Sequence, residues 1–173
     1  MLRPTPACLA SVAALTAAGP ALAAPFFDRV ASFPVALNLP AGTDPATPTS
    51  AEIVAASGDG MTLVYSDSPN KAVGFIDIAD PAAPAALGSL AFDGEPTAVS
   101  ILGDTAFVAV NTRASFTEPF GRLAAVDLAT RTETASWDLG GQPDSTALAP
   151  DGSFLAVAIE NERDEKLNDG AIP

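Results

Sequence analysis

The residues best equipped for chemistry crowd together near the C-terminal end, as Glu160-Asn161-Glu162-Arg163-Asp164-Glu165-Lys166-Leu167-Asn168-Asp169-Gly170. Five carboxylates and two amides within eleven residues make an all-oxygen donor set. Hard cations such as calcium accept oxygen ligands in irregular arrangements. On that ground Glu160, Glu162, Asp164, Glu165 and Asp169 are candidate calcium ligands. Their spacing departs from that of an EF-hand loop. The other reading is a solvated charged loop in which Arg163 and Lys166 pair with neighbouring acids, and spacing alone favours it. A smaller polar run, Asp67-Ser68-Pro69-Asn70-Lys71, has the composition of a turn and needs no function to account for it.

Composition removes the competing chemistries. The chain has no histidine, and its one cysteine, Cys8, falls in an N-terminal segment that reads as a leader. Over the mature part this excludes Ser-His-Asp hydrolysis, cysteine nucleophiles, disulfides and ordinary zinc sites. No glycine-rich loop of the phosphate-cradling kind follows a strand and opens a helix. A formal net charge of −13 repels phosphate backbones and anionic membranes, so nucleic acid is excluded as a partner.

The N-terminus has the three parts of a secretory signal, and residues 1–23 are expected to be removed on export. Arg3 supplies the positive end, Cys8 to Ala18 is apolar, and Ala21-Leu22-Ala23 offers small residues for cleavage. Cys8 stands at the front of the apolar run rather than at the cleavage point, which argues against a lipid anchor. The expected location is periplasmic or extracellular.

The elements that must position the acidic run are legible from a repeat. Gly94-Glu95-Pro96-Thr97 recurs as Gly141-Gln142-Pro143-Asp144, an offset of 47. Val73-Gly74-Phe75-Ile76-Asp77-Ile78 recurs as Leu123-Ala124-Ala125-Val126-Asp127-Leu128, an offset of 50. A unit of about 40–50 residues carrying about four short strands is the signature of a β-propeller blade. The expected fold is therefore all-β, a propeller of four-stranded antiparallel blades interrupted after about two and a half of them. Blades are expected over 52–96 and 97–143, with an incomplete one over 144–173, preceded by an N-terminal strand and connector over 24–51. The chain reads as the N-terminal part of a longer protein, with further blades of its own as the missing partner.

Blade topology puts the turns between blades, at Glu95-Pro96 and Gln142 to Asp144, on one rim. The loops Ser66 to Lys71, Asn111 to Gly121 and Glu160 to Gly170 share that rim, where binding residues concentrate on rigid scaffolds. Gly58-Asp59-Gly60 and the other short turns read as simple hairpins on the opposite rim. Asp77 and Asp127 read as structural hydrogen-bond acceptors, and Phe92 and Trp137 as packing between blades. Arg29 to Phe33 reads as a strand that would join the final blade and fasten the ring.

Several segments together resemble a family of exported bacterial propellers labelled phytase-like or esterase-like, sometimes alkaline phosphatase. They are ASFPVALNLPAGTDPATPTSAEIVAAS, YSDSPNKAVGFIDIADPAAP, GEPTAV, GQPDSTALAPDG and AIENERDEKLNDGAIP. The resemblance covers nearly the whole mature chain, and members of that family continue beyond the point where this one stops. It implies a calcium-assisted hydrolase of small phosphoesters or carboxylesters. In that chemistry the metal polarises the phosphoryl oxygen and a bound water attacks. Lys71 and Arg163 would steady the substrate's charge, and no residue is assigned a catalytic step. The alternative is a non-catalytic surface or periplasmic propeller that binds protein, polysaccharide or another ligand through its rim.

Overall fold

Alternating apolar and polar residues between Gly, Pro and Asp turns leave the chain little choice but hairpins. The computed structural model describes residues 27–162 and Lys166. Strands β1 (Val54–Ala56), β2 (Thr62–Asp67), β3 (Ala72–Asp77) and β4 (Ala85–Ala91) pair in sequence order as one antiparallel four-stranded sheet. Strands β5 (Glu95–Leu102), β6 (Thr105–Asn111), β7 (Gly121–Asp127) and β8 (Thr132–Asp138) repeat the arrangement as a second. Strands β9 (Pro143–Leu148) and β10 (Leu155–Ile159) form an antiparallel pair. Helical pieces among the described residues are two 3-10 turns, Val35–Asn38 and Ser68–Asn70. No helix among them is long and apolar enough to cross a membrane.

The period-two alternation of the strands sorts their side chains onto two faces. Val64, Val73 and Phe75 of the first sheet meet Val99, Ala106, Val108, Val110, Ala124 and Val126 of the second, forming the apolar core between them. Each is essentially excluded from water, and burial of the valine and phenylalanine side chains is worth about 1.5–3 kcal/mol apiece. Polar contacts join the second sheet to the β9–β10 pair. Thr97 Oγ1 donates to Pro143 O at 2.9 Å, and the hydroxyls of Ser100 and Thr146 lie 2.8 Å apart.

The repeated four-residue motif proves to be the start of a strand rather than a free turn. Pro96 and Pro143 are buried at the second position of β5 and the first of β9, where a missing N–H costs the ladder little. In β5 the pairing with β6 skips from Pro96 to Ala98, so Thr97 is a bulge residue. In β9 it skips from Pro143 to Ser145, so Asp144 bulges in the same way. Its glycine is fixed by sterics. A Cβ on Gly94 would stand 2.2 Å from Asn111 O, and one on Gly141 2.6 Å from Ile159 Cγ2.

Arg29 to Phe33 forms no strand here, and the final blade that it was expected to join is not among the described residues. The segment instead lines a cavity against Leu63, Ile76 and Ile78. Trp137 is 49% exposed, since β8 is the outer strand of its sheet and every residue of it faces solvent. Phe107 is its aromatic neighbour, with ring centroids 6.5 Å apart. Phe92, by contrast, packs against the core as expected.

The face of the first sheet turned away from the second carries Leu63, Tyr65, Gly74 and Ile76, and the segment around Asn38 covers it. A bulge in β3–β4 pairs Phe75 with Gly88 and Ile76 with Ala86, leaving Leu87 as the extra residue. Asn38, 3% exposed, bonds to the strands beside it. Its Nδ2 donates to Phe75 O at 2.9 Å and to Tyr65 Oη at 3.1 Å, and its Oδ1 accepts from Gly88 N at 2.9 Å. Ser89 Oγ donates to its backbone carbonyl at 3.2 Å. One asparagine thus sews the N-terminal segment to the sheet.

Candidate binding rim

Strand order places alternate connections on opposite ends of the sheets. One rim carries the β1–β2, β5–β6 and β7–β8 turns, and its shallow cavity is bounded by Ser57, Asp59, Gly103, Asp104, Leu128 and Ala129. Its carboxylates cap their own turns. Asp59 accepts from Ser57 Oγ at 2.6 Å and from Met61 N at 2.9 Å, and Asp127 accepts from Thr130 N at 2.7 Å. Asp151 accepts from Ser153 Oγ at 2.6 Å. These hydrogen bonds hold Asp59, Asp127 and Asp151 below the usual carboxylate range, the Ser57 hydroxyl, the Thr130 amide and the Ser153 hydroxyl being the main causes. Asp77 likewise accepts from Ala79 N at 2.9 Å. Such turns are self-contained, as simple hairpins should be.

The other rim links one sheet to the next. Between the first and second sheets, Ser68 Oγ donates to Pro96 O at 3.1 Å and to Glu52 Oε2 at 2.9 Å. Asp67, 5% exposed, accepts from Ser50 N at 3.0 Å and from Asn70 Nδ2 at 3.0 Å, so the 67–71 turn is a built part of this joint. Lys71 ends it in a left-handed conformation, φ 48°, and its carbonyl accepts from Phe92 N at 2.7 Å. Just beyond, Arg122 donates to Asp93 at 2.8 Å and to Glu133 at 2.6 Å, with its guanidinium 5.5 Å from the centre of the Phe92 ring. The Arg122 hydrogen bond holds the Asp93 carboxyl below its ordinary range.

Between the second sheet and the β9–β10 pair, Arg113 is the hub. Its Nη1 donates to Gln142 Oε1 at 2.6 Å and to Glu162 Oε2, and its guanidinium lies 4.2 Å from the centre of the Phe116 ring. Gln142 N donates to Asn161 Oδ1 at 3.0 Å, and Glu160 N donates to Gln142 O at 2.9 Å. An open cleft of about 490 Å³ sits beside this cluster, walled by Thr112, Ala114, Glu118, Pro119 and Phe120 of the β6–β7 loop and by Gly140 and Asn161 across from them.

The residues singled out from sequence are divided by this geometry. Glu160 and Glu162 come together at the Arg113 joint, whereas Lys71 stands at the preceding one, with no described contact to either. Arg163, Asp164, Glu165 and Asp169 lie outside the described residues, and Lys166 is exposed. Among the described residues no three carboxylates converge. Glu162 is paired with the Arg113 guanidinium. The Asn111–Gly121 loop lies on this rim as its position in the repeat implies, but Arg113, Phe116 and Phe120 within it carry no local signal of their role. What singles out Arg113 is non-local: it is the basic residue of a loop facing an acidic one.

One solved structure shares this fold. Hydrazine synthase from Kuenenia stuttgartiensis superposes with a TM-score of 0.51 at 24% identity, over 63% of this chain and 29% of that one. A functionally unknown protein from Desulfotomaculum acetoxidans gives 0.49 at 9% identity, over 61% of this chain and 31% of that one. The likeness to hydrazine synthase is one of fold, and the chain spans under a third of the length of each of these proteins. No curated protein matches the chain. A family model matches residues 52–172, from the strand that opens the first sheet to beyond the Arg113 joint, and the chain belongs to that family, the Choice-of-anchor I domain.

Proposed function

We propose that this chain is part of an exported, surface-associated β-propeller that acts by binding a partner through its linking rim rather than by turning over a substrate. The family marks an exported or cell-surface β-domain. Two equivalent four-stranded sheets, each joined to the next unit at the same rim, support successive blades around an axis. The observation that carries the binding reading is the Arg113–Gln142–Glu162 joint. Its charged groups satisfy one another and hold the loops in place, which is the behaviour of a scaffold presenting its surface. Export is tested by fusing the full chain to β-lactamase in a bacterial host. Ampicillin resistance is the expected result, and a sensitive strain containing intact fusion would overturn the location.

A second reading, a calcium-assisted phosphoester or ester hydrolase of the phytase-like kind, is favoured by one observation. The acidic run begins at Glu160 and Glu162 on this same rim. In that reading Asp164, Glu165 and Asp169 complete a calcium site, while Lys71 and Arg163 bind substrate.

A further inference from the structure

We infer that the cleft beside the Arg113 joint receives a cationic side chain, arginine or lysine, from a segment of a partner protein. This deepens the binding reading proposed above and rests on it. The cleft is lined by an aromatic side chain and a carboxylate two positions apart in the chain. Phe120, 53% exposed, and Glu118 are both on its wall, with Pro119 between them and Asn161 opposite. A phenyl ring attracts a cation over its face, and the attraction grows as water is excluded. A neighbouring carboxylate adds a charge-assisted hydrogen bond to the same group. At about 490 Å³ the cleft has room for a long basic side chain with its apolar stem. Among the described residues the guanidinium close by, that of Arg113, is held by Glu162 and Gln142 and stacked on Phe116 instead. That arrangement shows which group the neighbouring surface favours, since the molecule already places one cation between an aromatic ring and a carboxylate here. Charge complementarity favours a basic partner over an acidic one. A chain with net charge −13 draws cationic segments towards itself and repels anionic ones.

The test is a titration of ¹⁵N-labelled protein with three short peptides identical except for arginine, lysine or citrulline at two positions, followed by amide chemical shifts. Citrulline keeps the shape of arginine without its charge. The expected result is saturable shifts confined to the 112–120 loop, Gly140 and Asn161 with the arginine and lysine peptides, fading with added salt, and none with citrulline. Phe120→Ala and Glu118→Gln should each weaken binding by about fivefold. Both side chains are exposed, so the fold should persist, and the spectrum itself verifies that. Asp151→Asn, on the opposite rim, should change nothing. Equal shifts with citrulline would reveal an apolar or sugar-binding groove and overturn the inference. Shifts spread over the acids of both rims, or no shifts, would overturn it as well. The wider reading is decided separately, by the export fusion and by turnover measurements.

Discussion

Asn38 shows how much one residue can hold. Its amide bonds the carbonyl of Phe75 and the N–H of Gly88 beside the bulge, and it meets the Tyr65 hydroxyl as well. Asn38→Ala strands these buried groups, and unsatisfied polar groups in such positions cost about 1–3 kcal/mol. A loss of about 3 kcal/mol in urea unfolding is expected, with an unchanged denaturant slope. Tyr65 reports on the same seam. Burial pushes its phenol above the ordinary value, partly opposed by the Asn38 hydrogen bond. The unfolded chain therefore ionises first, so this contribution to stability is intact below about pH 10 and is lost as pH rises towards the folded value. Because Tyr65 is the only tyrosine, phenolate absorbance follows it directly. The midpoint should lie above that of a free tyrosine, and an ordinary midpoint would show the N-terminal segment to be detached.

Elements explain the repeat that the sequence displays. Glycine returns at Gly94 and Gly141 because the strand that follows crosses close to its Cα, and proline follows where the ladder needs no N–H. Gly94→Ala should therefore destabilise the protein by about 2 kcal/mol, as overpacking does. Gly58→Ala, where a Cβ meets nothing within 4 Å, should be nearly neutral. Equal effects in thermal melts would remove the steric account. The hairpins and their order were legible because alternation and turn residues are local signals that tertiary contacts had no reason to override. The N-terminal segment was not legible. Arg29 to Phe33 has the residues of a strand, and the final blade expected to pair with it is not among the described residues. Asn38 was invisible for a related reason: its role depends on a bulge fifty residues away in β4. Trp137 misled because its bulk suggests packing, whereas its outer strand has solvent on its exposed side. At the rim, the loops were foreseen and the acidic run drew attention. The pairing of Arg113 with Glu162 joins residues separated by 49 positions and has no local trace.

At the scale of the whole molecule, antiparallel sheets stack one on the next and their loops interlock along one rim, which we propose serves binding. The rival reading gives the same rim a calcium ion and a hydrolytic reaction. The two part company on one measurement. Purified full-length protein is assayed for release of nitrophenol from nitrophenyl phosphate and nitrophenyl esters, with millimolar calcium or with a chelator. The binding account predicts no turnover above buffer in either condition. Calcium-dependent release that is lost in Glu160→Gln or Asp164→Asn variants of unchanged fold would contradict it.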